Sequence, residues 1–290
     1  SITQSRAGLT DQIDRFVVRY YDLYSKTDQV KGQNLYLHWD LSNRDCIMCS
    51  NSLSLKELWR RKTVYIKLLL DHMNELEIRK KRAEIIITIL KKLFPKTRSA
   101  LNYSNSWEFL VAVILSAQCT DARVNIVTSQ LFKKYRTIED YAKADITEFE
   151  QDIKSTGFYK NKAKNIRATA NIVHEHYHDS IPQTMEEMLE LPGVARKTAN
   201  VVLGNAFGIV SGIAVDTHVR RLSNLYGLTG ESNPEKIERD LMELLPKNEW
   251  VEFTLRMIDY GRKYCPAKKH DHERCPLTVA LKEKSLYPEN

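Results

Sequence analysis

A lysine and an aspartate nineteen residues apart are the residues of this chain best suited to chemistry. Lys197 lies in LPGVARKTANVVLGNAF and Asp216 in the run Ala-Val-Asp-Thr-His. An unprotonated lysine amine can attack an electrophilic carbon and leave a Schiff base. A carboxylate beside it can steady positive charge on that carbon and move protons at the amine. The surroundings of Lys197 suggest a substrate. A short helix, TMEEMLEL, runs into a tight turn at Pro192-Gly193-Val194, and a second helix, ARKTANVVLGNAF, leaves it. Such a hairpin points backbone N–H groups from the turn and from the second helix's first turn outward, where they can hold a phosphate. Leu191, Gly193, Val194, Ala195, Arg196 and Thr198 would make up that grip. A nucleophile and a carboxylate beside a phosphate grip suggest chemistry on nucleic acid.

Simpler roles exist for both. Lys197 could be a surface lysine touching phosphate. Asp216 could be a helix N-cap, since Asp ahead of a helical run caps well. An amine attacks only when deprotonated; the positive helix N-terminus, neighbouring Arg196 and partial burial would favour that form.

The elements that must position these residues read as helix after helix from Met73 onward. Residues 83–94 form an apolar-rich helix ended by Pro95, and the strongly apolar 107–117 is expected to be central. Residues 121–135 carry Val124, Val127, Leu131 and Phe132 at helical spacing. Helices over 146–156 and 162–176 follow. Thr184 with Glu187 three residues on is a capping box for the short helix before the hairpin. Helices over 216–226, 234–245 and 250–264 complete the chain. No alternating run is long enough for a sheet, so the class is all-α.

Two further stretches complete a pattern: LSAQCTDARVN at 115–125 and GFYKNKAKNI at 157–166. With LPGVARKTA and VDTH, in this order, the chain resembles the helix-hairpin-helix (HhH-GPD) DNA glycosylases, and specifically their endonuclease III branch. The resemblance covers roughly Met73 to Leu277. It implies two helical lobes with the DNA site between them: one near 97–210, with the hairpin at 184–204, the other joining 75–95 to 211–290. It also implies a flipped-out base and a filled gap. Gln118 matches the residue that enters the gap, and Phe158 stands where relatives place a wedging leucine. Asp121, Tyr159 and His218 match pocket-lining positions. Lys160, Lys162 and Lys164 cluster before a helix, as a solvated basic face or as phosphate contacts. Ala195 replaces the commoner glycine, which is tolerated if that residue is helical.

The implied activity is a bifunctional DNA glycosylase and AP lyase of base excision repair. It would act, as a monomer, on oxidised or ring-saturated pyrimidines and abasic sites in double-stranded DNA. Two alternatives stand beside it. A monofunctional mismatch or damaged-base glycosylase is disfavoured by Lys197. A non-catalytic helix-hairpin-helix binding module is disfavoured by Lys197, Asp216 and Gln118 together.

Relatives often close with C-x6-C-x2-C-x5-C holding a [4Fe–4S] cluster. Here the spacing holds Cys265, His272, Cys275 and Leu281. Leucine cannot ligate, and such clusters normally need four thiolates. The expectation is therefore no iron–sulfur cluster and no metal, with zinc on Cys265, His272, Cys275 and His270 a weaker option.

Composition sets outer bounds. The 290 residues are 42% hydrophobic and 28% charged, as in an ordinary globular protein. A net charge of +7 suits a polyanionic partner without requiring one. Five cysteines, an odd number, argue against a disulfide framework and for a reducing compartment. With no signal-peptide pattern and no long apolar run, a cytoplasmic or nuclear setting is expected. Residues 1–72 are least informative; Cys46 and Cys49 form a CxxC that could be half a metal site or a redox pair but reads more simply as two unrelated thiols, and Met73 is a possible natural start.

Overall fold

The computed structural model describes the backbone of residues 55–288 and the side chains of residues 73–288. Cys46 and Cys49 lie outside the described residues. The unit Tyr65–Asn290 holds both apolar cores and every candidate site residue.

Twelve α-helices and no strand are present among the described residues. In chain order they are α1 (Leu55–Leu93), α2 (Ser106–Ser116), α3 (Asp121–Lys134), α4 (Ile138–Lys143), α5 (Ile146–Ile153) and α6 (Tyr159–Tyr177). Then come α7 (Met185–Glu190), α8 (Arg196–Phe207), α9 (Thr217–Leu225), α10 (Pro234–Leu244), α11 (Trp250–Lys263) and α12 (Pro276–Glu283). None is long and apolar enough to cross a membrane. The helix containing 83–94 is longer than its apolar stretch suggested. Two helices were not anticipated, α4 and α12. At six and eight residues they are too short for a periodic stripe to show. Local caps define α4 instead: Thr137 and Asp140 close a reciprocal capping box.

Two apolar cores organise the unit. The first surrounds α2, whose residues 107–115 are buried apart from Glu108. Helix α8 packs on α2, and Phe109, Leu110, Ile153, Ile166 and Leu203 fill the space between helices. The second gathers Ala83, Ile86 and Leu90 of α1 with Leu222, Leu241, Phe253 and Met257. Spacings of three and four put the α1 residues on one face. Burying each such large side chain contributes roughly 1.5–3 kcal/mol. Arginines secure α1 as well. Arg79 donates to the Leu228 carbonyl at 2.6 Å, and Arg82 to those of Leu286 at 2.7 Å and Gly227 at 3.1 Å.

The chain crosses from the first core to the second between α8 and α9. Gly208 ends α8 with φ +68°, and residues 208–216 carry no regular structure. Lys197 therefore stands on the first core and Asp216 at the edge of the second.

Candidate active site

The hairpin that carries Lys197 is built from local rules. Thr184 caps α7, its hydroxyl accepting from the Glu187 N–H at 3.2 Å. The reciprocal half of the expected capping box is altered: the Glu187 carboxylate accepts from the Thr184 hydroxyl at 2.7 Å instead of from backbone. The turn closes through the Val194 N–H donating to the Leu191 carbonyl at 3.0 Å. Gly193 sits at φ +80°, and a Cβ there would lie 2.8 Å from Asn165 Nδ2, so conformation and space both demand glycine. Thr169 ties the turn to α6 by donating to the Pro192 carbonyl at 2.9 Å.

Helix α8 has no side-chain N-cap. Its first N–H groups therefore await a partner, as an anion site requires. Ala195 is the N-cap residue, with φ −89° and ψ 168°. It is extended, not helical as the sequence suggested, and an alanine adopts that conformation without strain. Leu191 and Val194 are buried, and their N–H groups already donate within the hairpin, to the Met188 carbonyl at 3.3 Å and the Leu191 carbonyl at 3.0 Å, so neither N–H is free for the expected phosphate grip. Arg196 is already engaged: its Nε donates to the buried Glu238 carboxylate at 2.6 Å, and Asn200 joins at 2.8 Å. Thr198 is half-buried.

Lys197 is exposed, contrary to the partial burial expected, and has no carboxylate partner among the described residues. It opens into a cleft of about 560 Å³ between the two cores. Gln118, Asp121, Asp216 and His218 line the same cleft. Asp216 caps α9, its Oδ1 accepting from the Val219 N–H at 2.8 Å. The structural role thus exists, and Asp216 lines the cleft as well. Burial holds the His218 imidazole below its ordinary pKa, against the opposing pull of Asp216. His218 packs so close to α11 that a Cβ on Gly261 would clash with its Nδ1. Asp121 is held across the cleft by Arg262, Oδ2 to Nη2 at 2.7 Å. Asp259, which belongs to no motif singled out above, also lines the cleft. Burial raises its carboxyl above the ordinary value.

Phe158, Tyr159 and Lys160 do not line this cleft. Tyr159 packs against the first core, and Lys160 is exposed. Phe158 is 65% exposed, which rules out a core phenylalanine. It and Gln118 share an uncommon conformation, with φ +48° and +53°.

Lys162 joins the turns that carry them. It is buried, not part of a solvated basic face, and its Nζ donates to the Leu115 carbonyl at 2.8 Å and the Thr156 carbonyl at 2.9 Å. Ile166, Thr169, Ala170 and Val173 share its buried face of α6, so helical spacing could have revealed this. Lys162→Met is expected to leave both carbonyls without this donor and to cost about 1–3 kcal/mol. Chemical denaturation checks this; an unchanged midpoint would show that the carbonyls do not depend on the ammonium.

The loop after α11 corrects one expectation. Far from being bare of metal-binding capacity, it brings Cys265, His270, His272 and Cys275 together with one donor atom each, all within 4.8 Å of one another. Leu281, at the position of the last thiolate in the resembling pattern, is fully buried in the second core and offers no donor. His270 supplies the fourth atom.

Residues 111–247 match the family model described as HhH-GPD superfamily base excision DNA repair protein. Endonuclease III of Synechocystis sp. is 49% identical over 205 residues, covering 71% of this chain and 94% of that protein. Endonuclease III of Bacillus subtilis is 44% identical over 204 residues, covering 70% and 93%. Among solved structures, a non-covalent endonuclease III–DNA complex superposes with a TM-score of 0.66 at 42% identity, covering 71% of this chain and 98% of the other. A trapped endonuclease III–DNA covalent intermediate gives the same TM-score, identity and coverage.

Proposed function

Because the chain belongs to the endonuclease III family of HhH-GPD base excision repair proteins, we propose that Lys197 and Asp216 are the working pair of a bifunctional DNA glycosylase and AP lyase. The observation that carries this reading is their shared cleft, with Lys197 beside uncapped helix N–H groups and free of any internal ion pair among the described residues. A covalent intermediate trapped between a 42%-identical endonuclease III and DNA supports an attacking amine.

The reaction runs through a covalent imine. The neutral Lys197 Nζ attacks C1′ of the damaged nucleotide. The C1′–N bond breaks, and the base leaves with that electron pair and takes up a proton. Opening of the C1′–O4′ bond gives a protonated imine on Lys197. Loss of a C2′ proton then expels the 3′ phosphate, and water hydrolyses the imine. Asp216 steadies the oxocarbenium character at C1′ and relays protons at the amine. The uncapped N–H groups of α8 hold a phosphate and fix the strand. Gln118 fills the space the base leaves, and Phe158 wedges the opposite side of the duplex. Asp121 and His218 line the pocket for the extruded base. Oxidised or ring-saturated pyrimidines are the proposed substrates, with duplex DNA the partner.

Borohydride trapping on duplexes carrying an abasic site or an oxidised pyrimidine tests the reading. A covalent protein–DNA adduct is the expected result. Base release without an adduct would establish a monofunctional glycosylase, and binding alone a non-catalytic module.

A further inference from the structure

The loop between α11 and α12 draws on groups the DNA chemistry does not use. We propose that Cys265, His270, His272 and Cys275 hold a single tetrahedral zinc ion. Two thiolates and two imidazoles are a recurrent zinc donor set, and they neutralise its charge. With metal–sulfur bonds of about 2.3 Å and metal–nitrogen bonds of about 2.0 Å, the donors of such a site lie roughly 3.3–3.8 Å apart. Cys265 Sγ is 3.6 Å from His272 Nδ1, and Cys275 Sγ is 3.3 Å from His270 Nε2. The widest separation, within 4.8 Å, needs only about 1 Å of side-chain adjustment to reach that range.

The outer nitrogens of the two imidazoles are held in a way that frees the inner ones. His270 Nδ1 is 2.9 Å from the Lys268 carbonyl. A carbonyl only accepts, so Nδ1 carries the proton and Nε2 turns its lone pair toward Cys275. His272 Nε2 lies 3.0 Å from both the Tyr287 and the Thr278 hydroxyls, which can accept its proton and leave Nδ1 free to ligate. Such outer contacts orient metal-bound imidazoles and raise their affinity. Both thiols are buried, at 0% and 2% exposure, and both imidazoles are half-buried, so four protein donors surround the position of the ion. Arg221 lies 3.6 Å from Cys265 Sγ and donates to the Cys265 carbonyl. The ion would clamp the end of α11 to the start of α12.

Elemental analysis and absorption spectra of the purified full-length protein test this, with Thr278→Val and His270→Ala beside wild type. The expected result is about one zinc per chain and a colourless protein, with zinc content falling at least about tenfold in His270→Ala. Thr278→Val, which removes only an outer contact, should weaken zinc affinity by roughly 10–100-fold in chelator competition. Cobalt exchanged into wild type should show the visible bands of a tetrahedral thiolate site, a readout that stands even if His270→Ala fails to fold. Brown protein containing iron and sulfide would overturn the proposal. So would metal-free protein after zinc-replete preparation, or a zinc content indifferent to His270→Ala.

Discussion

Lys197→Ala should abolish borohydride trapping and lower strand cleavage at an abasic site by about a thousandfold or more, since a covalent route disappears with its nucleophile. Duplex affinity should change by no more than about threefold, because the proposed phosphate grip is made by backbone N–H groups of the hairpin, which alanine retains. Lys197 touches no carboxylate among the described residues, so the fold should barely notice the substitution. Parallel measurements of trapping, cleavage and binding decide the matter. If binding and cleavage fell together, Lys197 would be a phosphate contact and not the attacking group.

Asp216→Asn separates two roles that one side chain plays. Its Oδ1 caps α9. Asparagine caps about as well as aspartate, so the melting midpoint should hold. The negative charge is gone, however, and with it the steadying of C1′ and the proton relay. Base excision should fall by about 10²–10⁴-fold. Asp216→Ala should lose the same activity and also about 1 kcal/mol of stability. Single-turnover excision beside thermal melting gives both numbers. Full activity in the asparagine variant would reduce Asp216 to a cap.

What the sequence made legible was local. The hairpin, its glycine turn and the cap at Asp216 each follow from a few neighbouring residues, and the helical class follows from periodicity. The contacts that escaped join distant parts of the chain. Arg196 reads as a DNA-facing cation, yet it is bound by Glu238, forty-two positions away, on a helix whose packing no local pattern foretells. The donor set Cys265, His270, His272 and Cys275 was visible in the sequence, but Leu281 at the last thiolate position made it the weaker option, because no local pattern shows that the loop folds His270 inward. Ala195 shows the same limit in miniature: the residue was visible, but its extended backbone was not.

Of the five non-glycine residues with positive φ among the described residues, two stand at the proposed DNA contacts. At Gln118 and Phe158 a side chain occupies a backbone conformation that glycine adopts freely and other residues reach at a cost of roughly 1–2 kcal/mol. A selection for heat resistance alone would therefore drift toward glycine at both sites. Each step would relax the backbone and erase a side chain proposed to hold the opened duplex, so a sturdier protein would emerge with a blunted tool.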